Sequence, residues 1–213
     1  MSLTPPHVPS PPSKNTLVLA THNPEKVREF RSLLAGLGLE ILTLDAFQHI
    51  GEIVEDADSL EGNAMLKTNA VFRATGLPAL GDDTGLEVHY LNGRPGVYSS
   101  RYAGDHASYA DNVAKLLREL RGVAPRRRAA RFRAVLALVT PRRETRTVEG
   151  ICRGVILESP RGLNGFGYDP VFLPSGHSET LAEMTSELKN KISHRGEAMH
   201  ALLPILHEYA FFN

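Results

Sequence analysis

Apolar positions along this chain fall into short continuous runs alternating with stretches of helical period. "TLVLAT" at 16–21 is a continuous run rich in Leu and Val and predicts a buried strand. In "HNPEKVREFRSLL", directly after it, the period changes. Val27, Phe30 and Leu34 share one helical face, Asn23 is a good N-cap and Pro24 fits the first helical position. "LEILTL" at 39–44 reads as a second strand, and strand–helix–strand order predicts a parallel pair.

A further helix is predicted over 59–75, with Asp58 and Glu61 resembling a capping box and Gly76 as its stop. "PALGDD" and "LEVHYL" predict strands on either side of a carboxylate pair, Asp82 and Asp83, and Asn92-Gly93 marks a turn. "NGRPGVYSSRYAG" is a Gly-rich loop. "SYADNVAKLLREL" is a helix capped by Ser108, with Asp111 three residues on and a stripe of Val113, Leu116, Leu117 and Leu120. After the basic surface connection "APRRRAAR", the runs "FRAVLALVT", "TRTVEGICRG" and "VILES" suggest a meander that adds antiparallel strands to the sheet. "RGLNGFGYDPVF" is a Gly-rich loop entering a short strand. The C-terminal helix places Leu202, Ile205, Leu206 and Tyr209 on one face, and Pro204 is expected to kink it. The class is therefore α/β with a mixed sheet.

Length and charge narrow the picture. The 213 residues suit one large α/β domain or two lobes around a cleft, with the fold starting near Asn15. Lys+Arg and Asp+Glu both number 24, which argues against a protein that coats nucleic acid by bulk charge and leaves room for a local basic pocket. The single cysteine, Cys152, permits no intrachain disulfide and fits a core or edge position in a strand better than a nucleophile's. No apolar run is long enough to span a bilayer. The Pro-rich segment 1–14 lacks the apolar centre of a signal peptide and is expected to be an extended, poorly ordered tail. The expectation is a soluble cytoplasmic protein without membrane or nucleic-acid partners.

Four segments carry candidate chemistry. "ATHNPEKVREF" delivers a strand into a helix N-terminus, whose unpaired N–H groups suit an anion, and Lys26 there would gain from a phosphate; an ordinary capped surface helix is the alternative. Asp82 and Asp83 suit a hard divalent cation such as Mg²⁺ held together with substrate phosphates, or else a solvated turn and a cap. "NGFGYDPVF" offers Phe166 and Tyr168 as flat faces for a base, with Gly165 and Gly167 allowing close backbone approach; inward packing is reasonable for one of the two aromatics. "SELKNKISHRGEAM" gathers Lys189, Lys191, His194 and Arg195 at a helix junction, where an anion or acceptor-rich base would be attractive and Lys191 reads as solvated. A rival exists: Asp83-Thr84-Gly85 spells the aspartic-protease triplet. That chemistry needs two such aspartates, so a homodimer would have to supply the second.

Taken in order, "THNPEK", "DDTGL", "GRPGVYSSRYAG", "GFGYDPVF" and "ISHRG" resemble the inosine triphosphate pyrophosphatases, from about residue 16 to the C-terminus. The resemblance implies a curved mixed β-sheet with flanking helices, two lobes around a central cleft, and a homodimer. It implies Mg²⁺-dependent hydrolysis of deaminated purine nucleoside triphosphates to monophosphate and pyrophosphate. It assigns the phosphates to Thr21, His22, Asn23, Pro24, Glu25 and Lys26. By the same resemblance Asp83 would bind Mg²⁺ and activate water, while Thr84, Phe166, Gly167, Tyr168, Asp169, Lys189, His194 and Arg195 would contact the nucleotide. The sequence departs from the family at Gly62, where a glutamate often stands; Glu61 beside it is the expected second metal ligand, with Asp82 in reserve. That departure also motivates an alternative, a nucleotide-binding protein of weak activity.

Overall fold

The computed structural model describes residues 15–208. The tail expected at 1–14 and Tyr209 of the terminal helix face lie outside the described residues. Strand β1 (Thr16–Leu19) pairs in parallel with β2 (Glu40–Thr43), and α1 (Pro24–Leu33) crosses between them. Asn23 caps α1, its Oδ1 accepting from the N–H groups of Glu25 and Lys26. Helix α2 (Leu60–Thr75) is capped by Ser59, whose hydroxyl accepts from Gly62 N at 3.0 Å, and ends at Gly76 in the left-handed region. The expected box of Asp58 and Glu61 is therefore displaced by one residue. Helix α3 (Tyr109–Glu119) has the expected box of Ser108 and Asp111.

Strand β3 (Ala79–Val88) runs unbroken through the carboxylate pair, where two strands were expected, and 89–91 form a 3₁₀ turn. Continuity follows from its full antiparallel ladder with β5 (Ala129–Val139), which includes Asp82↔Leu136 and Asp83↔Val135. Strand β6 (Thr145–Ile156) absorbs the start of "VILES" and continues the ladder from β5, and β7 (Phe172–Pro174) pairs with β6. The two-residue β4 (Pro95–Gly96) pairs with β3. The sheet order is β2-β1-β3-β5-β6-β7, parallel at the β2-β1-β3 end and antiparallel beyond. Helices α4 (Ser186–Ile192) and α5 (His194–Glu208) close the chain, and α5 continues past Pro204.

Two cores share one face of the long strands. Leu17, Leu19, Phe30, Leu136, Met199 and Leu202 pack under α1 and α5; Leu86, Leu116, Leu120, Phe132, Ile156 and Phe172 pack under α3. Helix α2 covers the other face, its Leu60 and Ala64 packing on Val135 and Ala137. Cys152 is buried in the α3 lobe, and burial pushes its thiol up to about 11, as expected for a core residue. Between the lobes, β1 leaves β3 after Leu80 and β4 joins it only at Leu86, so 81–85 has no strand partner on that edge. The cleft opens there.

Helix α5 reaches the cleft because it lies almost directly on β6. A Cβ on Gly150 would stand 2.1 Å from the carbonyl oxygen of His194 and 2.2 Å from Ala198 N. Gly150→Ala is expected to destabilise the protein by about 2–3 kcal/mol in denaturant titrations. Gly51→Ala, where an added Cβ meets nothing within 4 Å, is expected to stay within about 0.5 kcal/mol of the parent.

Candidate active site

Adjacent strand residues point to opposite faces, so Asp82 and Asp83 never confront each other. Asp82 faces α1 and α5. Its Oδ1 is 3.0 Å from Lys26 Nζ, and its Oδ2 accepts from Arg195 Nε at 3.1 Å and from the Thr84 hydroxyl at 3.1 Å. Burial pushes this carboxyl up, but Lys26, Arg195 and Lys67 outweigh it and hold it below the usual carboxylate range. Asp83 faces α2. Asn63 Nδ2 donates to one oxygen at 3.2 Å and Lys67 Nζ to the other at 3.3 Å. Here burial prevails over Lys67 and raises the pKa. One carboxylate is thus locked as an anion, and its neighbour takes up a proton more readily.

From Asp82 a ladder of alternating charge crosses the floor of the cleft. Arg195 donates through Nη1 to Glu29 at 3.0 Å and through Nη2 to the Thr84 hydroxyl at 3.0 Å. The other oxygen of Glu29 is 2.5 Å from Lys189 Nζ, which also donates to Asp169 at 2.6 Å. Asp169 closes the end by accepting from Phe166 N at 2.9 Å. Gly165, with φ +70°, makes that turn possible: a Cβ there would lie 2.1 Å from the Asp169 carboxylate. Phe166 then presents its ring beside Lys189 and Arg195, at 5.1 and 5.2 Å from the ring centre.

His194 begins α5 and is 2% exposed, and neither ring nitrogen has a protein partner. Its ring stacks on Phe132 at 4.6 Å between centres. Burial, reinforced by Arg195 and Lys189, lowers its pKa well below 6.5. The neutral ring offers one donor and one acceptor to whatever enters.

A cavity of about 290 Å³ is lined by Lys26, Asp83, Thr84, Phe166, His194 and Arg195 among others. Thr21, His22, Asn23, Gly167, Tyr168 and Asp169 also reach it. Tyr168 is buried, with its hydroxyl donating to Ser99 O at 2.9 Å, so inward packing falls to this aromatic and stacking is left to Phe166. Four expected residues lie off the cavity wall. Pro24 is the first residue of α1; Glu25 pairs with Arg28; Lys189 sits behind Phe166. Glu61 is the fourth: it accepts from the Thr147 hydroxyl at 3.2 Å, because its place in the first turn of α2 aims it at β6. The acidic residues that reach the cavity from this side are Glu52 and Glu55, and Glu55 is 3.0 Å from Lys67.

Sequence reasoning missed Glu29, Asn63 and Lys67. The signal was present in α2. Asn63 and Lys67 are four apart and fall among Leu60, Ala64 and Val71 on the buried stripe, where an unpaired lysine would be costly.

A strand edge open between two lobes, a cation-bearing helix start and a cavity wall that carries both an aromatic ring and a buried histidine define a cleft protein for a phosphorylated, flat-ringed small molecule. The Ham1 family model matches residues 17–205, and the chain belongs to that family. It is 47% identical to the dITP/XTP pyrophosphatase of Bacillus licheniformis over 190 residues, 89% of this chain and 97% of that protein. A Ham1 protein from Coxiella burnetii superposes with a TM-score of 0.81 at 39% identity, covering 91% of this chain and 98% of the other. The nucleoside-triphosphatase (dITP/XTP pyrophosphatase) structure from Mycobacterium abscessus gives 0.70 at 42% identity, covering 90% and 99%. Family membership removes the aspartic-protease reading, and the partners of Asp83, an amine and an amide, agree.

Since the folded pKa of His194 lies below its unfolded value, stability is complete above about pH 6.5 and is lost as pH falls from there towards the folded pKa. The expected slope from this residue is up to about 1.4 kcal/mol per pH unit. Denaturant titrations from pH 7.5 to 5 should show that slope in the wild type and a flatter one in His194→Gln.

Proposed function

We propose that the protein hydrolyses deaminated purine nucleoside triphosphates, namely ITP, dITP and XTP, to the monophosphate and pyrophosphate, with Mg²⁺ as cofactor. The observation that carries this is the division of the carboxylate pair. Asp83, raised in pKa and open to the cavity, stands beside the cations that hold Asp82 ionised. The names of the relatives support the substrate class.

In this reading Lys26, with Thr21 and His22 beside it on the cavity wall, receives the phosphates, since the first-turn N–H groups of α1 are already held by the Asn23 cap. Asp83 orients the attacking water and accepts its proton while Asn63 and Lys67 hold the carboxylate in place. Water attacks the α-phosphorus, the bond to the bridging oxygen breaks, and pyrophosphate leaves. Lys26 and Lys67 stabilise charge growing on the phosphate oxygens. The donor set fits a hard divalent cation: Asp83 and Glu55 supply carboxylate oxygens at the cavity, and substrate phosphates would complete the set. When bound, Mg²⁺ offsets phosphate charge and lowers the pKa of a coordinated water. Glu55 takes the place expected for Glu61. The reading also carries a homodimer in the cytoplasm; no helix among the described residues is long and apolar enough to cross a membrane.

For the base, Phe166 offers the stacking face and His194 the unpaired donor and acceptor. Arg195 has every guanidinium nitrogen engaged, to Asp82, Glu29 and Thr84, and so serves to align the floor. A keto oxygen facing the His194 donor is satisfied. Adenine's amino group in the same place is opposed only when the His194 proton stays on the nitrogen that faces the base, so the discrimination depends on that tautomer being held.

Wild-type enzyme with ITP and Mg²⁺ should yield IMP and pyrophosphate, and EDTA should stop turnover; orthophosphate with IDP would refute the mechanism. Asp83→Asn should lower kcat by at least about a hundredfold, within the usual range for a general base, with the thermal melt still cooperative. Glu55→Gln should raise the Mg²⁺ concentration for half-maximal rate, and Glu61→Gln should leave it unchanged. The reverse result would return the metal to Glu61.

A further inference from the structure

Tyr109 stands at the mouth of the cleft with its side chain committed to both walls. It is the first residue of α3, is 42% exposed and lines the cavity. Its oxygen is 2.9 Å from Asn23 Nδ2, 86 residues away in sequence, and its ring lies 5.8 Å from Phe166 at 42°. One residue therefore touches both the segment that receives phosphate and the ring that receives the base.

The direction of the hydrogen bond follows from the cap. Asn23 Oδ1 already accepts from Glu25 N at 2.9 Å and Lys26 N at 3.4 Å, which turns the amide NH₂ towards Tyr109. The phenol oxygen is the acceptor, and its own proton remains to be given away. Among the described residues no acceptor takes it. The position is also rigid. The Ser108–Asp111 box fixes the first turn of α3, and Asn112 at the next position, 2% exposed, donates to Ser100 O at 3.0 Å and accepts from Ala103 N at 2.7 Å.

We infer that Tyr109 is the sugar-facing residue of the cleft and donates its phenolic proton to a ribose hydroxyl. The inference rests on the pyrophosphatase reading above. In a nucleotide the sugar joins phosphate to base, so with phosphate at Asn23 and Lys26 and the base on Phe166, the sugar passes the residue that spans the two. Tyr109 positions the nucleotide and takes no part in bond breaking. The competing role is a strut between the lobes, indifferent to the sugar.

A two-by-two comparison separates them: wild type and Tyr109→Phe, each with ITP and with 2′,3′-dideoxy-ITP. The phenylalanine keeps the ring against Phe166 and removes only the hydroxyl. Sugar contact predicts that Tyr109→Phe raises KM for ITP roughly two- to tenfold, the range of one neutral hydrogen bond, with kcat little changed. The same substitution should leave KM for the dideoxy nucleotide unaltered. An equal penalty on both nucleotides, or none on either, overturns the inference in favour of a strut. Calorimetric Kd values for the same four pairs keep the two readings apart. Absent turnover of ITP and XTP by the wild type counts against the pyrophosphatase reading. Kd values in which the hydroxyl of Tyr109 and those of the sugar act independently count against Tyr109.

Discussion

Everything in the cleft depends on placing two adjacent aspartates in the middle of a strand. Side by side in a loop they would share one environment and repel. On β3 the alternation of side chains sends Asp82 to the α1–α5 side and Asp83 to the α2 side. Each then has its own counter-charges, and the two environments move their pKa values in opposite directions. The strand can hold them because glycine precedes and follows the site. A Cβ on Gly81 would meet Thr68 Oγ1 at 2.4 Å, and one on Gly85 would meet the carbonyl of Gly96 at 2.7 Å. Helix α2 therefore presses close enough to bring Lys67 into range of Asp83.

The same constraint explains where the cleft lies. The parallel half of the sheet ends when β1 turns into α1, and the antiparallel half resumes at β4. The unpaired edge between them is the one stretch of β3 where a ligand reaches the backbone without displacing a neighbour strand. The close seat of α5 on β6 then delivers His194 and Arg195 to the same stretch of β3, on the face that α1 also covers.

Much of this was legible in the sequence. The strand-to-helix passage at Asn23 and Pro24, the box at Ser108 and Asp111, and the mixed sheet all follow from local patterns whose physics is local. The functional segments were legible because each breaks its local rule: a lysine in a helix's first turn, two carboxylates in an apolar run, a His-Arg pair starting a helix. What was less legible is long-range. The division of 78–91 into two strands overlooked that a ladder with β5 can carry charged residues through a sheet once counter-charges arrive from elsewhere. Glu61 was placed by proximity in sequence, whereas the helix rotation that sends it to Thr147 depends on Ser59 as the cap. Glu29 could not be singled out, because its meaning lies in Lys189 and Arg195, more than 150 residues away.

Burying so many charges is costly, and what the arrangement gains is fixed orientation. Lys26, Asp82, Arg195, Glu29, Lys189 and Asp169 form one alternating chain, and Lys67, Asp83 and Glu55 form a second beside it. Four cations stand against five carboxylates, so the cleft has no surplus positive charge with which to meet a triphosphate. A lysine that serves the phosphate draws on charge already shared with a buried carboxylate. The charge balance therefore favours a ligand that brings its own cation, which is the physical ground for pairing the proposed substrate with Mg²⁺. Asp83 is raised in pKa chiefly because burial outweighs Lys67, a lysine it shares with Glu55, so a divalent ion at the cavity would supply charge that this pair of carboxylates lacks.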